Sequence, residues 1–355
     1  MPGSDFVHLH VHTEYSMLDG AARLNDLFEH AHELGQTAMA TTDHGYLFGA
    51  YDFWAKATEA GIKPIIGVEA YLTPGTARAD RTRVKWGDRS QGGDDISANG
   101  AYTHMTMWAK TTAGMHNLFR MSSHASLEGH FHKPRMDREL LQRYRDGIIA
   151  TTGCPSSEVQ TRLRLGQYDE ALKAAGEFQD IFGHENFYVE LMDHGLDVEK
   201  RVMEDLLRIS HQLGAPLVAT NDLHYTRHED SHAHEALLCV QSGKTMQDAG
   251  RFKFDSDDFY VRSADQMRQL FKDHPQACDN TLLIAEQCEV EFNTKADYMP
   301  RFDVPAGEDE HSWFVKEVQR GLMERYDGQV PSHVQERANF EIEVIADKGY
   351  PGYFL

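Results

Sequence analysis

Two imidazoles two residues apart on a short apolar run restrict this chain more than any other feature. They are His10 and His12, and further side chains able to bind metal recur downstream where strand-like runs end. These are Asp19 in Leu-Asp-Gly, His44 in Thr-Asp-His-Gly, Glu69 in Gly-Val-Glu-Ala, His104, Cys154 in Gly-Cys-Pro, and Asp222 and His224 in Asn-Asp-Leu-His. Side chains alternate along a strand with period two, so His10 and His12 share a face and can reach one ion. The fold must gather many strand ends around one point. His8 shares the alternation and is left without a role.

The rest of the pattern supplies such a fold. Residues 6–12 predict a strand with one polar face. Leu24, Leu27, Phe28, Ala31 and Leu34 then recur at helical spacing, with Gly35 as the stop. Residues 37–42, 64–71, 102–109, 147–152, 187–192 and 216–220 bring the strands to seven, with helices between, including 48–60, 168–182 and 198–213. Strand–helix alternation predicts a mainly parallel sheet closed into an α/β barrel, with chemistry at the C-terminal strand ends. Residues 73–100, with Lys85, Trp86, Gly87 and Gly92-Gly93, read as a mobile loop. After Tyr260 the strand repeat stops and helices follow, which predicts a domain boundary near 265–290. The apolar end, Gly349-Tyr-Pro-Gly-Tyr-Phe-Leu355, reads as a cut through something larger.

Composition limits the partners. Thirty-five basic against 56 acidic residues give a formal charge of −21, which repels a phosphate backbone unless bound cations or a basic region elsewhere offset it. Divalent ions at the site would place positive charge where a phosphate must sit. The four cysteines, Cys154, Cys239, Cys278 and Cys288, are too sparse for a disulfide framework and fit a reducing cytosol. With no basic-then-apolar leader and no run of about 18 apolar residues, a soluble, unexported protein is expected.

The nine candidate ligands divide into three groups around shared carboxylates. His10 and His12 with Glu69 and Asp222 form one; Glu69 bridges to a second with His104 and Cys154; Asp19, His44 and His224 form the third. Imidazole and carboxylate suit Zn²⁺, Mn²⁺ or Fe²⁺, and the Cys154 thiolate favours zinc at its position. Two or three such ions about 4 Å apart are the usual clamp for in-line attack at phosphorus. Phosphoester hydrolysis is the chemistry implied. No Ser-His-Asp elbow, Walker loop or dinucleotide fingerprint competes with it.

Other residues carry plainer readings. His130-Phe-His132 repeats the His-x-His pattern with no carboxylate following at a strand end, so it reads as surface. His30, His32, His116 and His211 read as solvated helix positions, and His232, His234 and Glu235 as surface. Cys154 alone would be a buried small hydrophobe. Chance does not set nine such residues at successive strand ends.

His10-Val-His-Thr, Thr42-Asp-His-Gly, Glu69, His104 and Asn221-Asp-Leu-His together resemble the polymerase and histidinol phosphatase (PHP) family. Longer stretches are more specific: Phe-Val-His-Leu-His-Val-His-Thr-Glu-Tyr-Ser-Met-Leu-Asp-Gly at 6–20, Lys-Pro-Ile-Ile-Gly-Val-Glu-Ala-Tyr at 63–71, Glu-Leu-Met at 190–192 and Lys-Gly-Tyr-Pro-Gly-Tyr-Phe-Leu at 348–355. These resemble the N-terminal part of bacterial replicative DNA polymerase III alpha subunits over essentially the whole chain. The resemblance implies a distorted seven-stranded (β/α)7 barrel binding three divalent metals and acting as a 3′–5′ proofreading exonuclease in residues 1–280. Residues 281–355 would be the helical start of the polymerase palm, with the nucleotide-adding aspartates beyond Leu355. Asp19, Asp222 and Glu69 would carry the catalytic weight. DNA at a primer–template 3′ end, the rest of the polymerase chain, and the sliding clamp and other replisome subunits are the implied partners, in the cytoplasm at the nucleoid. Tyr15 is a candidate for stacking a frayed base or a plain rim residue; Lys133 and Arg135 are candidates for backbone phosphate or a solvated loop. The alternatives are a non-catalytic PHP scaffold that stabilises the polymerase and a PHP-type phosphomonoesterase.

Overall fold

Alternation along the apolar runs decides which face of each strand meets the core and which end meets the site. The computed structural model describes residues 5–86, 98–296 and 298–355. In chain order the first part contains α1 (Leu24–Glu33), β1 (Ala38–Thr41), α2 (Ala50–Glu59), β2 (Lys63–Leu72), β3 (Thr103–Ala109), α3 (Thr112–Glu128), β4 (Arg135–Met136), α4 (Arg138–Tyr144) and β5 (Ile148–Thr151). There follow α5 (Glu158–Arg164), α6 (Tyr168–Phe182), β6 (Phe187–Leu191), α7 (Asp197–Leu213), β7 (Leu217–Ala219), α8 (Ser231–Ser242), α9 (Ala264–Leu270) and α10 (Pro275–Gln287). Leu24, Leu27, Phe28 and Ala31 of α1 are buried, the i, i+3, i+4, i+7 stripe of a helix packed on one side.

The strands form one sheet in the order β1-β2-β3-β5-β6-β7, with β4 added beside β2. It curls into a half-barrel whose edges are joined by the segment predicted as the first strand. That segment forms isolated bridges rather than a ladder: His8 pairs with Met39 and Val11 with Leu223. Thr42 N–H donates to Val11 O at 2.9 Å, and His12 N–H donates to Leu223 O at 2.8 Å. Residues 8–12 thus lie between β1 and the chain beyond β7.

The sheet is less parallel than expected. β3 runs antiparallel to both β2 and β5, with Tyr71 opposite His104 and Met107 opposite Ala150. Parallel neighbours need a crossover helix, and no α-helix lies between β2 and β3 among the described residues. The chain returns in reverse, β3 pairing with β2 from Leu72 opposite Thr103 to Gly67 opposite Trp108.

Period-two alternation sets Ile65, Gly67 and Glu69 on one face of β2 and Trp108, Thr106 and His104 on one face of β3. The apolar ends of these rows pack together. Val7, Leu9, Ala38, Ile65, Trp108 and Val218 form a buried cluster with Ile284, Ala285 and Cys288 at the end of α10. This helix plugs the barrel end opposite the polar one. The expected boundary at 280/281 falls within α10, whose apolar face is buried in the first of the two compact units of the described chain, Met1–Phe292 and Asn293–Leu355. The second unit holds α11 (Glu310–Arg325), α12 (Ser332–Asp347) and α13 (Pro351–Phe354), with a capping box joining Asp309 and Ser312 at the start of α11.

The stretch read as a mobile loop is anchored where it is described. Arg78 bonds Glu128, Asp137 and Glu139, and Trp86 is buried beneath the Arg162 guanidinium at 4.8 Å. Gly87 and Gly92-Gly93 lie outside the described residues.

Candidate metal centre

The nine candidate side chains reach the polar mouth of the barrel from seven segments of the chain. His10 and His12 come from the bridging segment and His44 from the turn after β1. Asp19 sits on a turn in which Asp19 N–H and Gly20 N–H both donate to Ser16 O. A Cβ on Gly20 would lie 2.1 Å from Thr13 O, so only glycine lets this turn lie against the His12 strand. Glu69 lies on β2 and Cys154 follows β5. His104 departs from the rule of C-terminal strand ends: it stands at the start of β3, and antiparallel pairing brings it to the same mouth. Asp222 and His224 follow β7, with Asp222 at φ 42°, a left-handed conformation that costs a non-glycine residue energy and is enriched at functional sites.

The nine converge. His10 Nε2 is 3.2 Å from Asp222 Oδ1 and 3.6 Å from Glu69 Oε1. His12 Nε2 is 3.2 Å from Asp222 Oδ1 and 3.4 Å from Glu69 Oε2. Glu69 Oε1 also faces His104 Nδ1 at 2.9 Å and Cys154 Sγ at 3.0 Å. His44 lies between Asp19 Oδ2, 2.8 Å from its Nε2, and Glu69 Oε2, 2.7 Å from its Nδ1. The His224 ring stacks on His12 at 4.3 Å. Three subsets lie close enough to share an ion: His12, His44 and His224; His10, His12 and Glu69; His44, Glu69 and His104.

Hydrogen bonding accounts for only part of these contacts: His44 Nε2 pairs with Asp19 Oδ2, and His104 Nδ1 and Cys154 Sγ pair with Glu69 Oε1. His10 Nε2, His12 Nε2, His44 Nδ1, Asp19 Oδ1, Glu69 Oε2 and Asp222 Oδ1 are all buried without a hydrogen-bond partner, although several lie near one another. An unpaired buried polar atom costs about 1–3 kcal/mol, so six at one point make a cluster that a cation satisfies and protein alone does not. The donor set fits divalent metal.

The far sides of the rings are satisfied. Glu190 Oε1 accepts from His10 Nδ1 at 2.7 Å and from Thr220 Oγ1 at 2.7 Å, and Glu190 also accepts from Thr151. Ser16 Oγ lies 2.9 Å from His12 Nδ1 and donates to Asp43 Oδ1 at 2.6 Å. Carboxylates behind ligating imidazoles fix tautomer and ring direction. Ser16, Asp43 and Glu190 had no assigned role from sequence; the signal was a polar residue beside a ligand or on the inward face of a strand.

Electrostatics follow the same layout. Burial lowers the His10 pKa, but the Asp222 and Glu190 carboxylates outweigh it and raise the group above its ordinary value. His44 is likewise raised to about 10, Glu69 and Asp19 overcoming burial. His12 falls to about 3 through burial and the neighbouring His44 and His224. Burial, then Glu69 and Asp222, push the Cys154 thiol up. Against burial, the surrounding imidazoles hold Asp19, Glu69 and Asp222 below the usual carboxylate range.

Several plain readings change. His234 is buried rather than at the surface, its Nε2 2.8 Å from Asp19 O, because α8 packs that face over the Asp19 turn. Arg135 is fully buried and donates to the carbonyls of Gly129, Ala101, Arg78 and Asp80, so it is not available to a phosphate. Tyr15 is tied by its hydroxyl to Asp52. Lys133 lines the cavity over the centre, whose volume is about 580 Å³. His8 is buried, with Nε2 2.8 Å from Arg262 O.

Residues 8–194, a little over half the sequence, match the family model described as PHP domain. The chain belongs to the PHP domain family. Asp222 and His224 lie outside the matched span. In this PHP chain, residues 312–355 also match the model described as bacterial DNA polymerase III alpha NTPase domain. DNA polymerase III subunit alpha of Mycobacterium tuberculosis is 54% identical over 357 residues, which cover 99% of this chain and 30% of that relative. The Mycobacterium leprae subunit is 54% identical over 100% of this chain and 30% of its own length, and the Treponema pallidum subunit 39% identical over 100% and 29%. The PHP chain thus spans about 30% of the length of the curated relatives it matches.

Proposed function

We propose that this chain hydrolyses phosphodiesters at the 3′ end of DNA with three divalent ions, as the exonuclease-bearing N-terminal region of a replicative polymerase. The convergence of six buried, unpaired ligand atoms carries this reading. His10, His12, Glu69 and Asp222 would hold one ion, Glu69, His104 and Cys154 a second, and Asp19, His44 and His224 the third. The thiolate favours zinc at its position, with Mn²⁺ or Fe²⁺ suited to the others. Such ions supply charge neutralisation at the phosphoryl oxygens and acidify water for in-line attack.

The protein's part is orientation and charge. Glu190 and Ser16 hold the His10 and His12 rings with Nε2 toward the centre. Asp19, Glu69 and Asp222 offset only part of the ions' positive charge, so the mouth stays attractive to a phosphodiester in an otherwise acidic chain. Residues 312–355 support reading the second unit as the start of the polymerase portion. DNA, the rest of the polymerase chain, the sliding clamp and other replisome subunits are then the partners, in the cytoplasm.

The test is hydrolysis of a 3′-mismatched primer–template in Mn²⁺ or Zn²⁺ by wild type and Asp222→Asn. Stepwise loss of 3′ nucleotides that disappears in the variant supports the reading. Equal activity in both, or none in either, leaves a scaffold and overturns it.

A further inference from the structure

We propose that Lys133 and the stacked Tyr46–Phe48 pair form the subsite for the strand leading into this centre. Lys133 takes a backbone phosphate near the scissile one, and the aromatic pair takes a base. The inference rests on the nuclease reading and names the substrate contacts that reading lacks.

Two cavities meet at the metal cluster. The larger, about 580 Å³, covers the ligands; the smaller, about 140 Å³, is lined by Tyr46 and Phe48, and Asp19, His44, Tyr71, Lys133 and Gln241 border both. A volume of ~300–1,000 Å³ suits a small-molecule ligand. The larger cavity can therefore hold a terminal nucleotide, and the smaller is the passage toward the next one.

Lys133 stands on that passage with no ion-pair partner among the described residues. Its ammonium lies 5.3 Å from the Tyr71 ring centroid, and that ring meets the His104 ring at 5.1 Å. In a chain with 56 acidic and 35 basic residues, a lysine one ring away from metal-type ligands and without an ion pair among the described residues calls for an explanation. Its charge opposes cation binding at the cluster, so an anion arriving with the cations accounts for its position.

The support under Lys133 is rigid. Phe131 N–H donates to Lys133 O at 3.1 Å around His132 at φ 64°. Pro134 and the Tyr71 ring close so tightly on Gly45 that a Cβ there would lie 2.7 Å from Tyr71. Two residues on, the Arg135 guanidinium donates to four carbonyls. A group held this way is pre-organised for its ligand.

Phe48 is 69% exposed, and its ring stacks on Tyr46 at 4.6 Å with an interplanar angle of 12°. A single exposed phenylalanine needs no explanation. A stacked pair on a cavity that shares Lys133 and two candidate ligands with the centre is a base-stacking shelf, the usual companion of a phosphate contact in single-strand binding.

The experiment is a methylphosphonate scan. A 5′-labelled single-stranded oligonucleotide, protected from hydrolysis by a terminal phosphorothioate, has each of its last few linkages neutralised in turn, and binding to the 355-residue chain is read by anisotropy. One linkage should weaken wild type about tenfold when neutralised but Lys133→Met less than about twofold. Lys133→Met should also lower the slope of log Kd against log salt by about 0.7. Phe48→Ala should weaken binding roughly fivefold or more, and Phe48→Trp should restore it. Equal sensitivity of both proteins to every linkage, or unchanged binding by Phe48→Ala, overturns the subsite. Linkage-specific coupling to Lys133 in a protein that hydrolyses no DNA would sink the exonuclease reading and leave the subsite standing; hydrolysis without coupling would do the reverse.

Discussion

Replacing Glu190 by Gln tests whether the residues behind the ligands set metal affinity. Glu190 is fully buried and accepts from His10 Nδ1, Thr220 Oγ1 and Thr151 Oγ1. An amide of the same shape has one acceptor oxygen and must turn its NH₂ toward one of these three groups. Turned toward His10, it demands an acceptor at Nδ1 and drives the ring proton to Nε2, the atom that faces Asp222 and Glu69. Loss of such a partner typically costs 10- to 100-fold in metal affinity, about 1.4–2.7 kcal/mol. With metal in excess, the same energy appears as lost stabilisation of the folded state. The gap between melting temperatures in metal and in chelator should therefore shrink by roughly 2–6 °C in the variant. Effects on the metal-free fold cancel in that difference. A gap within about 1 °C of wild type, together with unchanged affinity against a competing chelator, would show that Glu190 does not orient His10.

Two further outcomes are expected. Arg135→Met leaves four carbonyl groups without their donor and should cost about 3–5 kcal/mol in urea unfolding; a loss below about 1 kcal/mol would mean that water replaces the guanidinium. Burial pushes the Cys288 thiol from 9.0 up to about 12, so its stabilising contribution is complete below pH 9.0 and is lost as pH rises toward 12. By pH 10.5 that loss is about 2 kcal/mol, and Cys288→Ala should lose correspondingly less stability than wild type between pH 8.5 and 10.5; parallel profiles would refute the buried neutral thiol.

Much of the candidate site is legible in the sequence because its signals are local. His10 and His12 share a strand face by period alone, and Glu69 sits on the inward row of an apolar strand. Gly20 and Gly45 mark turns that hold a ligand or its support. Residues that depend on distant partners are not legible in this way. Glu190 and Asp43 look like ordinary carboxylates until the His10 ring and Ser16 come against them. His234 lies on a helix with no strong polar or apolar bias, and only packing over the Asp19 turn buries it. Arg135 reads as a surface cation because nothing nearby in sequence shows that four carbonyls surround it.

Local pattern alone carries the strand and helix repeat and the metal-type side chains at strand ends, since alternation and short-range turn chemistry act within a few residues. Tertiary structure alone decided the reversed direction of β3, which brings His104 to the site from the wrong end of its strand. It also decided that residues 8–12 close the sheet by single bridges and that α10 plugs the barrel. These are long-range pairings, fixed by which buried surfaces and backbone hydrogen bonds can be satisfied together, and no local pattern carries that information.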